Sequence, residues 1–210
     1  MTRPSTSTTP TASRPAAPRR SLGLRPKDWI SVGVYAVLYI VLIYACGMLG
    51  YVPFIYPFCG FLYGIVCQTP VLLLALKVRH LGALTVLGLL TGAIAGFGMP
   101  VMILVGLAVG FVADLVALSG RYVGRIQLVL ACGVFNLMFY SGYAMFFFNR
   151  NSTMAMIAKS YGQDYVDQVS ALLPQWYAYV MPVGLFVAGC VGALIALRLM
   201  RKHFERAGLV

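Results

Sequence analysis

From residue 29 onward the chain is a series of long apolar runs separated by short polar breaks. Six runs stand out, at about 29–49, 53–76, 81–98, 100–118, 125–148 and 177–199. Each is near the ~20 residues a helix needs to cross a bilayer, although the third and fourth are short and glycine-rich. Pro53, Pro57 and Pro100 sit at or near the starts of runs, where a missing N–H does least harm. The pattern predicts an all-α integral membrane protein, a bundle of six transmembrane helices. Residues 1–28 are different: rich in Ser, Thr, Pro and Arg, they cannot build a core. No short apolar stretch follows their basic start, as a signal peptide requires. They read as a disordered basic cytoplasmic tail, and 29–210 as one membrane domain.

Polar residues interrupt the fifth run in a regular way. Asn136, Tyr140, Tyr143 and Phe147 are spaced 4, 3 and 4 apart and so share one face of a helix. Such a column suits the wall of a cavity that holds a small ring-shaped solute, with aromatic faces for stacking and an amide for orientation. The competing reading bonds Asn136 to a neighbouring helix and assigns the tyrosines to an interfacial belt. The long connection after this run, 149–176, repeats Met154, Ile157, Tyr161, Tyr165, Val169 and Leu172 at helical spacing. It predicts an amphipathic helix, capped by Asn151 or Ser152 and ended by Pro174. That helix is either a lid over the bundle mouth or a helix resting on lipid; connections this long inside a compact fold are usually functional, which favours the lid. Asn149, Arg150 and Trp176, at the ends of this connection, join the four column residues as the candidate substrate-binding set. Asp164 and Asp167 are charges near the entrance. Were the column mere packing, the site would move to the lid and the loops around Tyr51 and Met99.

Composition agrees with the pattern. The 210 residues are 60% hydrophobic and 10% charged, far from the usual half and quarter of soluble domains. The net charge of +11 has a membrane explanation and no need of nucleic acid. Fourteen of the 16 basic residues fall on one side of the predicted topology: the tail, Lys77 and Arg79, Arg121 and Arg125, and the C-terminal Arg198, Arg201, Lys202 and Arg206. Only Arg150 and Lys159 fall on the other. By the positive-inside rule both termini are cytoplasmic. Glycines at 88, 92 and 96, at 106 and 110, and the series Gly184, Ala188, Gly192, Ala196 form stripes that let helices approach closely. These serve internal packing, or else docking of another membrane subunit.

Candidate chemistry is sparse. The five cysteines all lie in apolar runs, none forms a C-x-x-C pair, and only two histidines exist, so neither a metal site nor a cofactor is expected. Asp114 is the only acid inside a run; with no second buried acid or histidine, an ion pair with Arg121 or Arg125 is expected rather than a proton relay. No catalytic set and no phosphate-binding G-x-x-x-x-G-K-[ST] pattern occurs, so no enzyme is predicted. Uphill movement of a solute would draw on an ion gradient or on another subunit, and the sequence offers no good ion pathway.

Several separated stretches resemble one known family. "LRPKDWISVGVYAVLYIVLIYACGMLGYVPFIYPF", the "GMP" at 98–100, "GLAVGFVADL", "YGQDYVD" and the terminal "RKHFERAGLV" are similar in order and spacing to the MptD or trep_strep family, over residues 24–210. Its members are classed as substrate-binding (S) components of energy-coupling factor (ECF) transporters. The resemblance implies an S-component-like six-helix bundle in the bacterial plasma membrane, with cytoplasmic termini. Such a bundle captures a vitamin-like micronutrient from outside and docks on a transmembrane coupling subunit driven by two ABC ATPases. Docking in that family commonly uses an A-x-x-x-A-like pattern on the first span. Here Ile40 stands where a second alanine would complete it, leaving Gly33 and Ala36 as the docking candidates. The alternative is a stand-alone six-helix secondary transporter, which inverted repeats or broken helices carrying buried acids would favour.

Overall fold

A computed structural model of the protein describes residues 26–96 and 99–206, with side chains through residue 200. The tail assigned to 1–28 falls outside it except for its last three residues, which already belong to the first helix. Ten helices run in chain order among the described residues: α1 Pro26–Gly47, α2 Cys59–Val66, α3 Gln68–Val78, α4 Ala83–Ile94, α5 Pro100–Ser119, α6 Arg125–Asn136, α7 Tyr140–Phe148, α8 Arg150–Tyr161, α9 Gln163–Leu172 and α10 Tyr177–Arg206. No strand occurs among those residues.

Two of the predicted spans are broken helices, and in one the cause is local. Pro70 has no N–H to give residue 66 and its ring crowds that carbonyl, so α2 stops at Val66 and α3 restarts at Gln68. The fifth run divides at a 3-10 turn over Leu137–Phe139, which joins α6 to α7. A 3-10 turn advances about 120° per residue against 100° in an α-helix, so everything beyond it is rotated by about 60° from the straight-helix register.

Five helical stretches are long and apolar enough to cross a membrane: Pro26–Tyr51, Tyr56–Val78, Pro100–Ser119, Arg125–Phe148 and Tyr177–Met200. The third predicted span is the exception. Its helix, α4, has 12 residues, about 18 Å of rise against a ~30 Å hydrocarbon core. Its start is delayed by a loop that places Arg79 and Gly82 at positive φ, 51° and 104°. Lying against α5 compensates for its length. A methyl on Gly88 would strike the backbone of Gly106, and one on Gly92 the carbonyl of Met102, so the two backbones touch and run antiparallel. The stripe on α10 does the same work elsewhere: Gly192 meets the carbonyl of Gly64 in α2, and Ala188 packs on the same glycine. The glycine and alanine stripes are thus internal packing surfaces.

The outside of the bundle is apolar. Val34, Val37 and Val41 on α1, Leu104, Phe111 and Leu115 on α5, and Val180, Val183, Val187 and Val191 on α10 are all exposed. Apolar faces of this extent on a soluble monomer would be an aggregation liability, whereas in lipid they are the ordinary exterior.

Asp114 has a different partner from the arginines expected for it. It is fully buried, and its Oδ2 accepts bonds from Gly82 N at 3.0 Å, Thr85 N at 2.8 Å and Thr85 Oγ1 at 2.7 Å. Its Oδ1 accepts from the Tyr122 hydroxyl at 3.1 Å. The carboxylate of α5 is therefore the N-terminal cap of α4, supplied from another helix and placed at the positive end of the α4 dipole. It bonds helix to helix without Arg121 or Arg125.

Candidate functional site

A cavity of about 460 Å³ occupies the end of the bundle away from Arg79, Arg121 and Arg198. Its wall is drawn from most of the chain. Tyr44 and Met48 stand at the end of α1, and Tyr51 and Tyr56 on the turns that follow. Tyr63 belongs to α2, and Thr91 and Ala95 to the end of α4. Met99 and Met102 open α5, and Met138, Phe139 and Tyr143 come from the 3-10 turn and α7. Ile157 and Tyr161 of α8 and Tyr165 of α9 complete it.

The predicted single amphipathic helix over the mouth is two helices, because Gly162 takes φ 88° and ψ 162°, a conformation that side chains other than hydrogen disfavour. Its anchoring residues shift accordingly. Tyr165, Val169 and Leu173 are buried with Phe146 in a small cluster, and Met154, Ile157 and Tyr56 pack against it. Leu173 takes the buried place expected for Leu172, which is exposed. Neither Asn151 nor Ser152 caps α8; Asn149 stands at its N-cap, with no side-chain bond. The chain does leave α9 just before Pro174. Further contacts tie α8 and α9 to the bundle: the Tyr165 hydroxyl donates to Gly50 O at 2.6 Å, the Thr153 hydroxyl to Met145 O at 3.1 Å, and the rings of Tyr51 and Tyr161 lie 5.5 Å apart. Ring contacts then run inward, Tyr161 stacked on Tyr165 at 5.0 Å, Tyr165 edge-on to Tyr56 and Tyr56 tilted against Tyr143. Burial raises the pKa of both Tyr161 and Tyr165, so these phenols stay neutral at physiological pH.

The aromatic column expected from the sequence is corrected by this geometry. Only Tyr143 of the seven candidate residues lines the cavity. Its hydroxyl donates to Tyr56 O at 2.9 Å and accepts from Gly60 N at 3.1 Å, holding the turn before α2 in place. Asn136 is fully buried and spends its amide on other helices: Nδ2 donates to Leu185 O at 2.8 Å and Gly60 O at 3.4 Å, and Oδ1 accepts from Gln68 Nε2 at 3.4 Å. The 3-10 turn between them carries Tyr140 off the common face. Its hydroxyl donates to Ala178 O at 2.9 Å, and its ring borders an outer groove with Val101, Val105 and Pro182. Phe147 packs against the lid cluster and against Tyr143, Met181 and Leu185. Asn149 also borders the outer groove. The Arg150 guanidinium sits 5.6 Å from the centre of the Phe146 ring. Trp176 is 61% exposed, edge-on to Tyr177. Asp167 accepts a bond from Gln163 on the exposed face of α9.

The docking pair separates as well. Ala36 is buried in the core, whereas Gly33 is exposed, with no atom within 4 Å of where a side-chain methyl would sit. Their spacing of three places them about 60° apart around α1, enough to put one inside and one outside.

Tyr51 and Met99, the fallback positions, do line the cavity; Tyr56, Tyr63, Met102 and Met138 were missed. A signal existed in "GYVPFIYPFCGFLY", where tyrosines alternate with prolines and glycines at a chain reversal. Of these tyrosines only Tyr51 entered the sequence reading; spacing alone does not show that Tyr56 and Tyr63 face inward.

No curated protein and no solved structure matches the chain. A family model described as "Hypothetical bacterial integral membrane protein (Trep_Strep)" matches residues 26–206, the whole of the helical region. The chain therefore belongs to the Trep_Strep family of bacterial integral membrane proteins.

Proposed function

We propose that the protein is the solute-capturing S component of an ECF-type importer in the bacterial plasma membrane. One observation carries this reading: the cavity is blind. Between it and the basic end the bundle is filled by fully buried side chains, among them Tyr39, Leu72, Leu87, Leu128 and Phe135. A solute is received at one end and has no passage through, so delivery needs a partner that moves or opens the bundle. With the basic end cytoplasmic, as the positive-inside rule places it, the cavity and its lid face outward. The partners in this reading are a transmembrane coupling subunit and two ABC ATPases, with no catalysis by this chain itself.

The competing reading, a stand-alone secondary transporter, needs an ion path. Asp114 offers a poor start for one, since both its oxygens are already engaged in capping α4. Reconstitution separates the two. The purified protein alone in liposomes should bind solute without accumulating it, and uptake should begin when the coupling subunit and ATPases are added with ATP. Accumulation by the protein alone, driven by protons or sodium, would establish the secondary transporter instead.

A further inference from the structure

We infer that the cavity selects an uncharged, ring-bearing solute, held by stacking and by two phenol hydroxyls, those of Tyr56 and Tyr63; this rests on the cavity being the solute site. The first observation is the lining itself. Not one of the described residues that line it is Asp, Glu, Lys, Arg or His. Seven are tyrosines, and Met48, Met99, Met102 and Met138 add polarisable apolar surface. A buried ion needs a counter-charge or several hydrogen bonds to replace its water, and this wall supplies no charge. The helix ends do not supply one either. The first turn of α5 reaches the cavity at Met102, but the last turns of α1 and α4 reach it too, at Gly47 and Thr91, so dipole ends of opposite sign face the same space.

The second observation is an accounting of hydroxyls. Tyr44 donates to Ile94 O, Thr91 to Leu87 O, Ser141 to Met138 O, Tyr143 to Tyr56 O and Tyr165 to Gly50 O. These groups are already spent on the backbone, and the Tyr51 and Tyr161 hydroxyls at the mouth pair with each other. Tyr56 and Tyr63 also line the cavity, and neither hydroxyl is bonded to any described residue. Neither is a sealed orphan of the kind represented by Tyr39. A phenol can both donate and accept, so two of them match a ring bearing carbonyl, amide or hydroxyl groups. The volume, about 460 Å³, lies in the range of small-molecule sites.

The test uses neutral and charged probes matched in shape, with the purified full chain in detergent at pH 7.5. The pairs are nicotinamide and nicotinate, uracil and orotate, riboflavin and its 5′-phosphate, and benzyl alcohol and benzylamine, each read by the shift in melting midpoint. At least one neutral member should raise the midpoint while its charged partner does so only at concentrations ten-fold higher or more. A charged member that binds as well as its neutral partner overturns the inference and leaves the cavity as a solute site. No shift from any pair rejects the solute site itself. For the neutral probe that binds, Tyr56→Phe and Tyr63→Phe should each weaken affinity about 2- to 10-fold, the loss expected for one neutral hydrogen bond, without changing the ligand-free midpoint. Unchanged affinity in both would remove the hydroxyls from the site. Gly142→Phe, placed where the nearest atom to an added methyl is Met102 Cε at 3.8 Å, fills the cavity and should abolish the shift. A shift that survives it puts the probe elsewhere.

Discussion

Replacing Asn136 by leucine decides between a binding and an architectural role for the residue at the centre of the fifth run. Its amide joins α6 to α10, to α2 and, through Gln68, to α3. Leucine removes three interhelical hydrogen bonds, and such bonds in a membrane bundle average about 0.6 kcal/mol, or roughly 2 kcal/mol for the set. The bonds at 3.4 Å count for less than the one at 2.8 Å. Gln68 adds a further cost. It is fully buried, its Oε1 already lacks a partner, and loss of Asn136 would leave its Nε2 unpaired, worth about 1–3 kcal/mol. Crowding adds to this, because Gly64 and Gly189 approach the Asn136 side chain closely enough that a methyl on either would sit within 2.7–2.8 Å. A destabilisation of about 3–5 kcal/mol is expected, measured by denaturant unfolding in mixed micelles. Gln68→Leu added to it should cost little more, or even recover stability, because the orphaned amide disappears. Solute affinity of the folded fraction should stay as in wild type. An Asn136→Leu protein of normal stability with weakened solute binding would refute the reasoning and return the residue to the site.

Gly88→Leu should prevent α4 from seating on α5 and abolish folded protein in detergent gel filtration, whereas Gly33→Leu, with open space around it, should match or slightly exceed wild-type stability by about 0.5–1 kcal/mol through helix propensity. Asp114→Asn keeps the shape but weakens the α4 cap; about 1–2 kcal/mol of stability should go, seen in the melting midpoint, and an unchanged midpoint would show that this cap does not hold α4. Tyr165→Phe cuts the lid's 2.6 Å bond to Gly50 and should raise the solute off-rate about 2- to 10-fold, by stopped-flow, with the fold intact. An unchanged off-rate would mean that this bond does not hold the lid.

Periodicity and solvent preference account for what was legible from the chain alone. Long apolar runs have no use outside lipid, so the membrane class, the helical content and the positions of α1, α5, the α6–α7 pair and α10 could be read from residues 29–199. The glycine stripes were legible as packing faces for the same reason, since only small residues at intervals of four allow backbones to touch. Tertiary structure decided the rest. Sequence spacing assumed one straight helix through 125–148, and a single 3-10 turn rotated Tyr140 away while Asn136 went into the core; nothing in "NLMFY" announces that turn. The third run became a short helix because its cap comes from Asp114, 29 to 32 residues further along the chain, a bond that no local pattern displays. The cavity wall is drawn from chain reversals at 43–63, 91–102, 138–143 and 157–165, and a tyrosine at a helix end looks alike in sequence whether it meets headgroups or a neighbour's ring. Which of the two it meets is settled only when the ends of six helical stretches and the lid are brought to one place.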